Sequence, residues 1–236
     1  MSTRQAAAEV VVVDYGLGNL RSVTRGLERA GATVDLVDDP GAVDAADGVV
    51  LPGVGAFSEG MDNAGPFREA LVDAAEAGKP LLGICLGMQM LLTTSEEADH
   101  AGQGDAEGLD LVPGENVRFG SELTVPHMGW NELDVRREHP LVEGVDSVGP
   151  AVPRADGTAG RGSVDGEYVY FVHSYHAVAE EPDDVLATTT YGHDVPAVVQ
   201  RGNVHGVQFH PEKSQAAGLR LLENFATRPR PTISAA

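Results

Sequence analysis

The sequence predicts an α/β protein with a mostly parallel central sheet that is flanked by helices and extended by antiparallel strands. Short, continuous apolar runs in the first half are typical of strands covered on both faces. These runs alternate with segments of helical periodicity, and such alternation indicates parallel strands joined by right-handed crossovers. The second half has strand patterns with no helices between them, which favours antiparallel pairing.

The first half provides the parallel part of the predicted sheet. The run EVVVVDY at 9–15 predicts the first strand, and the apolar stripe at 19–30 predicts a helix that stops at Gly31. The other elements predicted in this half are strands at 33–37, 48–51 and 80–84 and a helix at 66–77.

The second half provides the antiparallel extension. Strand patterns occur at 168–172, 185–190, 197–200 and 204–209, and a closing helix is predicted at 214–226. The last two strands are joined by Arg201-Gly202-Asn203, a good hairpin turn. Two stretches rich in glycine and acid, 100–108 and 150–166, are predicted to be surface loops. We expect a single domain over 1–236, with its core at 8–227 and a frayed tail at 228–236.

Charge and hydropathy exclude several kinds of partner. The chain carries 16 basic and 36 acidic residues, and its net charge of −20 would repel nucleic acids and anionic membranes. No run approaches the roughly 20 apolar residues of a membrane span, and no signal-peptide pattern opens the chain. We therefore expect a soluble, cytoplasmic protein. Because lysine is rare and acid abundant, we also expect a cytosol rich in salt.

Neither a metal nor a cofactor is expected. The histidines show no metal-ligand spacing beyond the pair His173 and His176. Gly16-Leu17-Gly18 lacks the third glycine of a dinucleotide-binding loop, since Arg21 stands in its place.

The segment PLLGICLGMQ at 80–89 is the most informative in the chain. A strand turns there directly into a helix, with a glycine two residues on either side of Cys85. This is the cysteine form of a nucleophile elbow, in which a strained turn projects the side chain and small neighbours let strand and helix pass closely. A thiol at a helix N-terminus is favoured as the reactive thiolate. The alternative for this lone cysteine is a buried, inert thiol.

The segment VQFHPE supplies a candidate base, His210, at the end of the last predicted strand. Pro211 favours an extended conformation at His210, and residues two apart in an extended chain point the same way, so Glu212 is predicted to hold the imidazole. Alone, the pair fits a surface ion pair better. Combined with the elbow, in the order nucleophile then base, it predicts a triad of Cys85, His210 and Glu212.

The loop PGVG at 52–55 follows the strand at 48–51. Parallel strands end at the same edge of a sheet, so this loop is expected beside the elbow. It can turn the N–H of Val54 towards a developing oxyanion, next to the N–H of Leu86. The alternative is an ordinary tight turn.

Five segments together resemble the class I, triad-type glutamine amidotransferases: GICLGMQ, PGVGAF, HMGWN, FVHSYHA and GVQFHPEKS. The resemblance runs from about residue 10 to residue 225 and fades across the two predicted loops. The elbow and HPE segments are shared by the whole superfamily and specify only the reaction. PGVGAF, HMGW and DYGLGN point to the glutaminases that serve histidine biosynthesis. The resemblance implies the three-layer fold of the family and the hydrolysis of glutamine to glutamate and ammonia.

The same resemblance implies roles for individual residues. Cys85 would attack the side-chain amide of glutamine and form a glutamyl thioester, His210 would protonate the departing ammonia and later activate water, and Glu212 would orient His210. The positions that would hold the glutamine are Gly55, Gln89, Glu97, His173, Ser174 and Tyr175.

A second protein is implied as well. Ammonia would pass through a tunnel to a (β/α)8-barrel cyclase subunit, the partner in a heterodimer. Positions that match the partner interface are Asn19, His127, Met128, Trp130, Tyr170 and Lys213. Without the resemblance they would be interpreted as a βα turn, core or half-buried aromatic residues and a surface charge. Two alternatives stay open: the ammonia serves another synthase, or the chain is a non-catalytic regulatory module.

Overall fold

The computed structural model describes residues 7–97, 104–145, 151–153, 159–161 and 168–227. These residues form five α-helices: α1 (Leu20–Arg29), α2 (Phe57–Asn63), α3 (Arg68–Glu76), α4 (Leu86–Met90) and α5 (Gln215–Ala226). The strands are β1 (Glu9–Val13), β2 (Thr33–Val37), β3 (Gly48–Gly53), β4 (Leu81–Cys85), β5 (Leu92–Ser95), β6 (Ala106–Glu107), β7 (Val112–Arg118), β8 (His127–Glu132), β9 (Asp134–Val135), β10 (Ala151–Pro153), β11 (Ala159–Arg161), β12 (Tyr168–His173), β13 (Tyr175–Ala179), β14 (Val185–Tyr191), β15 (His193–Arg201) and β16 (Val204–Val207).

The central sheet has the strand order β2-β1-β3-β4-β16-β15-β14-β9. Neighbours from β2 to β16 are parallel, and the pairs from β16 to β9 are antiparallel. The predicted mostly parallel sheet with an antiparallel extension is therefore confirmed. The hairpin predicted around Gly202 joins β15 to β16.

Helices cover both faces of this sheet, which explains the continuous apolar runs. In β1, Val10 and Val12 join the core that contains buried residues of α1 and α5. Val11 and Val13 join the core on the other face, with buried residues of α2 and α3. Burial of each such side chain contributes about 1.5–3 kcal/mol, so β1 holds both helical layers to the sheet.

The register of the parallel strands assembles one edge of the sheet. Gly53 at the end of β3 lies opposite Cys85 at the end of β4, and Val207 at the end of β16 lies opposite Ile84. The segments that follow β3, β4 and β16 therefore leave the sheet side by side, at the edge where open α/β sheets bind ligands.

One predicted strand lies in a different sheet. The strand expected at 168–172 is β12, but it pairs antiparallel with β8 in a separate two-stranded sheet and does not extend the central one. Its residues alternate between buried and partly exposed, so a single face is covered. A strand pattern specifies that face but not a pairing partner that lies far away in the chain.

Several helix and loop boundaries also differ from prediction. The helix expected at 66–77 opens as the 3-10 turn Gly65–Phe67 before α3, and α2 was not predicted at all. In the predicted loops, β6 pairs with β5 and β10 pairs with β11. Of these, β6, β10 and β11 lie within the predicted loops, and with two or three residues each they are too short to show alternation. The predictions for residues 100–103, 150, 154–158 and 162–166 of those loops, and for the tail at 228–236, lie outside the described residues.

Candidate active site

Cys85 stands in a strained turn between β4 and α4. Its backbone has φ 55° and ψ −110°, a conformation that costs an L-residue on the order of 1–3 kcal/mol. Glycines make the close passage of strand and helix possible. A Cβ on Gly87 would collide with the carbonyl oxygen of Leu51, and a Cβ on Gly83 would collide with the backbone of Gly87. The local geometry is therefore that of a nucleophile elbow.

His210 and Glu212 form a buried pair. The Nδ1 atom of His210 lies 3.0 Å from Oε1 of Glu212, and the two side chains are 3% and 0% exposed. The alternative of a surface ion pair is therefore wrong. His210 itself is extended, as predicted, but Pro211–Lys213 is a 3-10 turn, so Glu212 reaches the imidazole around this turn and not along an extended chain. The hydroxyl of Ser214 donates to the carbonyl of His210 at 2.6 Å and holds this turn in place.

The pKa of His210 is raised to about 9. Burial favours the neutral ring and lowers the pKa, but the interactions with Cys85 and Glu212 outweigh it. Nε2 of His210 is buried and has no hydrogen bond of ordinary geometry among the described residues. We therefore attribute the effect of Cys85 to attraction between charges rather than to a formed hydrogen bond. At neutral pH, His210 is protonated.

Cys85 and His210 line one cavity of about 320 Å³, a size typical of small-molecule sites. All the residues predicted to bind glutamine or to form the oxyanion hole line it as well: Val54, Gly55, Leu86, Gln89, Glu97, His173, Ser174 and Tyr175. Two further lining residues, Pro126 and Val172, were not predicted. A larger cavity of about 450 Å³, between residues 135 and 144, contains no member of the predicted triad. The chemistry of the lining, not the volume, identifies the candidate site.

The loop after β3 lies beside the elbow because of the sheet register. Gly53 pairs with Cys85, so Val54 follows next to the nucleophile and is 39% exposed. Gly55 has φ 110°, a conformation that favours glycine. The two predicted oxyanion donors, Val54 and Leu86, thus belong to neighbouring segments that both face the cavity.

Glu97 links the cavity to the start of α2. Its Oε2 accepts a hydrogen bond from the N–H of Phe57 at 2.7 Å. The pKa of Tyr175 is raised, chiefly by burial and further by the charge of Glu97. Glu97 therefore brings negative charge to the side of the cavity that Tyr175 occupies.

Two glutamines connect the cavity wall to the sulfur. Nε2 of Gln89 donates to the carbonyl of Tyr175 and to Oε1 of Gln208, both at 3.1 Å. Nε2 of Gln208 lies 3.8 Å from Sγ of Cys85, and Gln208 is fully buried. Sequence reasoning missed Gln208. The available signal was its position two residues before His210, since such residues share a face of an extended chain.

His127 and His173 form a second buried pair, in which His173 lines the cavity. Nδ1 of His127 lies 3.0 Å from Nε2 of His173, whose own Nδ1 lies 2.8 Å from the carbonyl of Tyr175. Burial is the main reason why the pKa of His173 is lowered to about 3, and it also lowers the pKa of His127. His173 is therefore neutral at neutral pH. Because the carbonyl of Tyr175 can only accept, neutral His173 carries its proton on Nδ1.

The residues predicted to face a partner differ in their exposure to solvent. Met128 and Trp130 of β8 are 63% and 43% exposed, and the rings of Trp130 and Tyr170 lie 5.6 Å apart. The ammonium group of Lys213 lies 5.8 Å from the Tyr170 ring centre. Asn19 is half-buried at the start of α1. His127 is only 1% exposed, so its prediction as a contact residue is wrong: the alternation along β8 turns it inward.

The described residues contain neither a metal-ligand cluster nor a membrane-spanning helix. No three His, Cys, Asp or Glu side chains in the described ranges are grouped as metal ligands. No helix in the described part of the chain has the length and apolar character needed to cross a membrane.

Comparison with known proteins identifies the family. The model of the family described as Glutamine amidotransferase class-I matches residues 11–228. The fold is similar to that of PurLQS from Thermotoga maritima, with a TM-score of 0.65 over 93% of this chain and 97% of that chain at 21% identity. The chain belongs to the class I glutamine amidotransferase family, which confirms the predicted fold and enzyme class.

Relatives of higher identity share one name. The proteins named imidazole glycerol phosphate synthase subunit HisH from Haloarcula marismortui and Halobacterium salinarum are 74% and 64% identical to this chain. The matches cover 95% and 94% of this chain and 97% and 94% of those proteins. A protein of the same name from Salinibacter ruber is 50% identical over 92% of this chain and 94% of its own length. The haloarchaeal relatives agree with the acidic, halophilic type of surface predicted from the composition.

Proposed function

We propose that this chain is the glutaminase subunit of an imidazole glycerol phosphate synthase, which releases ammonia from glutamine for a cyclase subunit. The observation that supports the chemistry best is that Cys85, on its strained elbow, and His210, backed by Glu212, line one cavity. The choice of acceptor rests on the name shared by relatives up to 74% identical.

In the first half-reaction, the thiolate of Cys85 attacks the side-chain amide carbon of glutamine. The carbon–nitrogen bond breaks as the imidazolium of His210 donates its proton to the leaving nitrogen, which departs as ammonia. The raised pKa of His210 supports this role, since the acid is already protonated before the substrate arrives. A glutamyl thioester remains on Cys85.

In the second half-reaction, neutral His210 takes a proton from water, and the resulting hydroxide attacks the thioester carbon. The carbon–sulfur bond breaks, glutamate leaves, and the thiolate and imidazolium are restored. Glu212, 3.0 Å from His210, stabilises the imidazolium at the start and end of the cycle. The N–H groups of Val54 and Leu86 stabilise the oxyanion in both steps.

Glutamine would occupy the cavity of about 320 Å³ with its amide carbon roughly 3–3.5 Å from the sulfur, the distance of a near-attack geometry. Glu97 is the carboxylate among the lining residues that we expect to contact the α-ammonium group. Gly55, Gln89 and the segment His173-Ser174-Tyr175 provide the surrounding contacts.

The cyclase, which we expect to be a (β/α)8 barrel, would bind the surface formed by Met128, Trp130 and Tyr170, flanked by Lys213 and Asn19. Exposed aromatic residues next to a charged rim are typical of an interface centre. The single free thiol and the acidic composition are in keeping with a cytoplasmic location.

The test is glutamate release from glutamine at molar KCl, with and without a barrel cyclase and its ribonucleotide substrate. We expect the partner and ligand together to stimulate release strongly in the parent and not at all in Cys85→Ala. Trp130→Ala should weaken the stimulation, while the matched surface variant Leu36→Ala should not, because Leu36, 51% exposed, lies on β2 at the edge of the central sheet, whereas Trp130 lies in the separate sheet of β8 and β12.

The other outcomes separate the alternatives. Stimulation only by a different synthase would keep the thiol chemistry and reject the proposed acceptor. Equal glutamine-dependent product formation by the parent and Cys85→Ala would show that the chain is a non-catalytic module.

A further inference from the structure

The orientation of the Gln208 amide is fixed by a backbone carbonyl two hydrogen bonds away. The carbonyl of Tyr175 can only accept, so the terminal atom of Gln89 beside it must be the nitrogen. The second hydrogen of that nitrogen points at Gln208, so the facing atom of Gln208 must be its oxygen. The remaining atom of Gln208, 3.8 Å from Sγ of Cys85, is therefore a nitrogen that presents an N–H.

The sulfur of Cys85 thus lies between an acceptor and a donor. The carbonyl of Val172, 3.9 Å away, accepts from the thiol and has nothing to offer a thiolate. The N–H of Gln208 instead stabilises the thiolate, because a hydrogen bond donated to the charged form of a group favours that form. The proton lost from sulfur is then held by His210.

We propose that Gln208 is a positioning residue of the glutaminase reaction, whose side-chain N–H stabilises the Cys85 thiolate and is aimed at it by Gln89. The proposal deepens the proposed function and rests on it for its consequence in catalysis. Gln89 lines the cavity and uses both of its N–H groups on Tyr175 and Gln208, so its side-chain oxygen is the atom left for glutamine. A substrate N–H bound there would tighten the same chain of amides that ends at the sulfur.

If Gln208 had only a structural role, its replacement would have a different effect. A buried glutamine that only satisfies its neighbours would, when replaced, lower stability without changing how readily the thiol ionises. Alkylation distinguishes the two roles, because the thiolate is the form that reacts. The chain has a single cysteine, so every alkylation event reports on Cys85.

The experiment follows the rate of Cys85 alkylation by iodoacetamide against pH, on the full chain at molar KCl. The variants are Gln208→Met, which removes both amide functions, and Gln208→Glu, which keeps an acceptor for Gln89 but replaces the N–H with a charge. The matched control is Gln200→Glu, since Gln200 lies on β15 and makes its contacts with Arg137 and Gly202.

We expect the acidic limb of the Gln208→Met profile to move up by about one pH unit, so that its rate at any pH on that limb is about tenfold lower while its high-pH plateau is unchanged. Gln208→Glu should move further, because a carboxylate repels the thiolate. In the assembled enzyme, Gln208→Glu should lower kcat at least about tenfold with little change in KM, since the contact with Gln89 is kept. Gln200→Glu should match the parent in each assay.

Parent-like alkylation profiles in both Gln208 variants would overturn the proposal, and so would a lowered melting temperature accompanied by an unshifted profile. If one variant fails to fold, the profile of the other decides. A shifted profile in a chain whose parent hydrolyses no glutamine with any partner would support the role of Gln208 at the thiolate and reject the proposed function.

Discussion

The pair formed by His210 and Glu212 allows the most quantitative prediction. Glu212→Gln keeps the shape of the side chain and an oxygen that can accept from Nδ1 of His210, but it removes the negative charge. Both side chains are almost fully buried, so solvent does not screen the change. The pKa of His210, raised to about 9 in the parent, should therefore fall.

The size of this fall follows from the geometry. A hydrogen bond to a charged group contributes about 1.5–3 kcal/mol, and about 1.4 kcal/mol corresponds to one pH unit. The variant should thus lose its imidazolium between about pH 7 and pH 8 instead of near pH 9. Near pH 8 the protonated fraction would drop by up to about tenfold, and so would the supply of the acid that releases ammonia.

The assay is the pH dependence of kcat/KM for glutamine hydrolysis by the assembled enzyme, which reports on the free enzyme. The alkaline limb should move down by one to two pH units in Glu212→Gln, by the reasoning above. Glu223→Gln is the matched control, because Glu223 pairs with Arg220 at 3.1 Å on the surface. Its profile should coincide with that of the parent.

Stability provides a second measurement with a defined sign. A histidine whose pKa is raised in the folded state stabilises the fold fully below its unfolded pKa of about 6.5, and this contribution is lost as the pH rises through about 9. Because Glu212→Gln lowers the folded-state pKa of His210, the variant should lose this stabilising contribution at a lower pH than the parent. If the alkaline limb of the kcat/KM profile lies at the same pH in Glu212→Gln as in the parent, Glu212 is not the group that holds the proton on His210.

Four further predictions concern the elbow, the buried histidines, the partner surface and the charge. Gly87→Ala should destabilise the chain by about 2–3 kcal/mol in denaturant unfolding because its Cβ would collide with a backbone carbonyl, whereas Gly65→Ala, whose Cβ would meet nothing within 4 Å, should stay within about 1 kcal/mol of the parent. His173, with its pKa lowered to about 3, should cost the parent about 2 kcal/mol of stability as the pH falls from about 8 to about 5, since the unfolded chain takes up the proton first; His173→Gln should flatten that fall. Trp130→Ala should weaken cyclase binding at least about tenfold in a titration, with Leu36→Ala unchanged. The melting temperature of the parent should rise between low and molar KCl, because the net charge of −20 repels itself until it is screened, and a flat dependence would contradict this.

The parallel half of the fold was predictable because burial on both faces leaves a local signature. In β1, consecutive valines point into two different cores, so the run is apolar throughout. The location of β12 was not predictable in the same way. Its pattern shows which residues face inward, but its pairing with β8 depends on a distant segment.

The same difference between local patterns and contacts of distant segments applies to the residues of the candidate site. Cys85 could be found from sequence because flanking glycines at fixed spacing are a local requirement of the elbow. For Gln208 the sequence offered only its position two residues before His210, because its contacts with Gln89 and Cys85 involve residues far away in the chain. His127 was assigned to the wrong side of β8, since the matching motif gave its position but not the direction of its side chain.

The sheet formed by β8 and β12 connects the proposed partner surface to the nucleophile by direct contacts. Its outward side carries Trp130 and Tyr170, and at its end His127 lies opposite His173. The chain then passes at once to Tyr175, whose carbonyl accepts from both His173 and Gln89. A partner that shifts this sheet would therefore move the acceptor that orients the amides of Gln89 and Gln208. Trp130→Ala should accordingly alter the partner's effect on Cys85 alkylation, whereas a partner surface without this connection would leave alkylation unchanged.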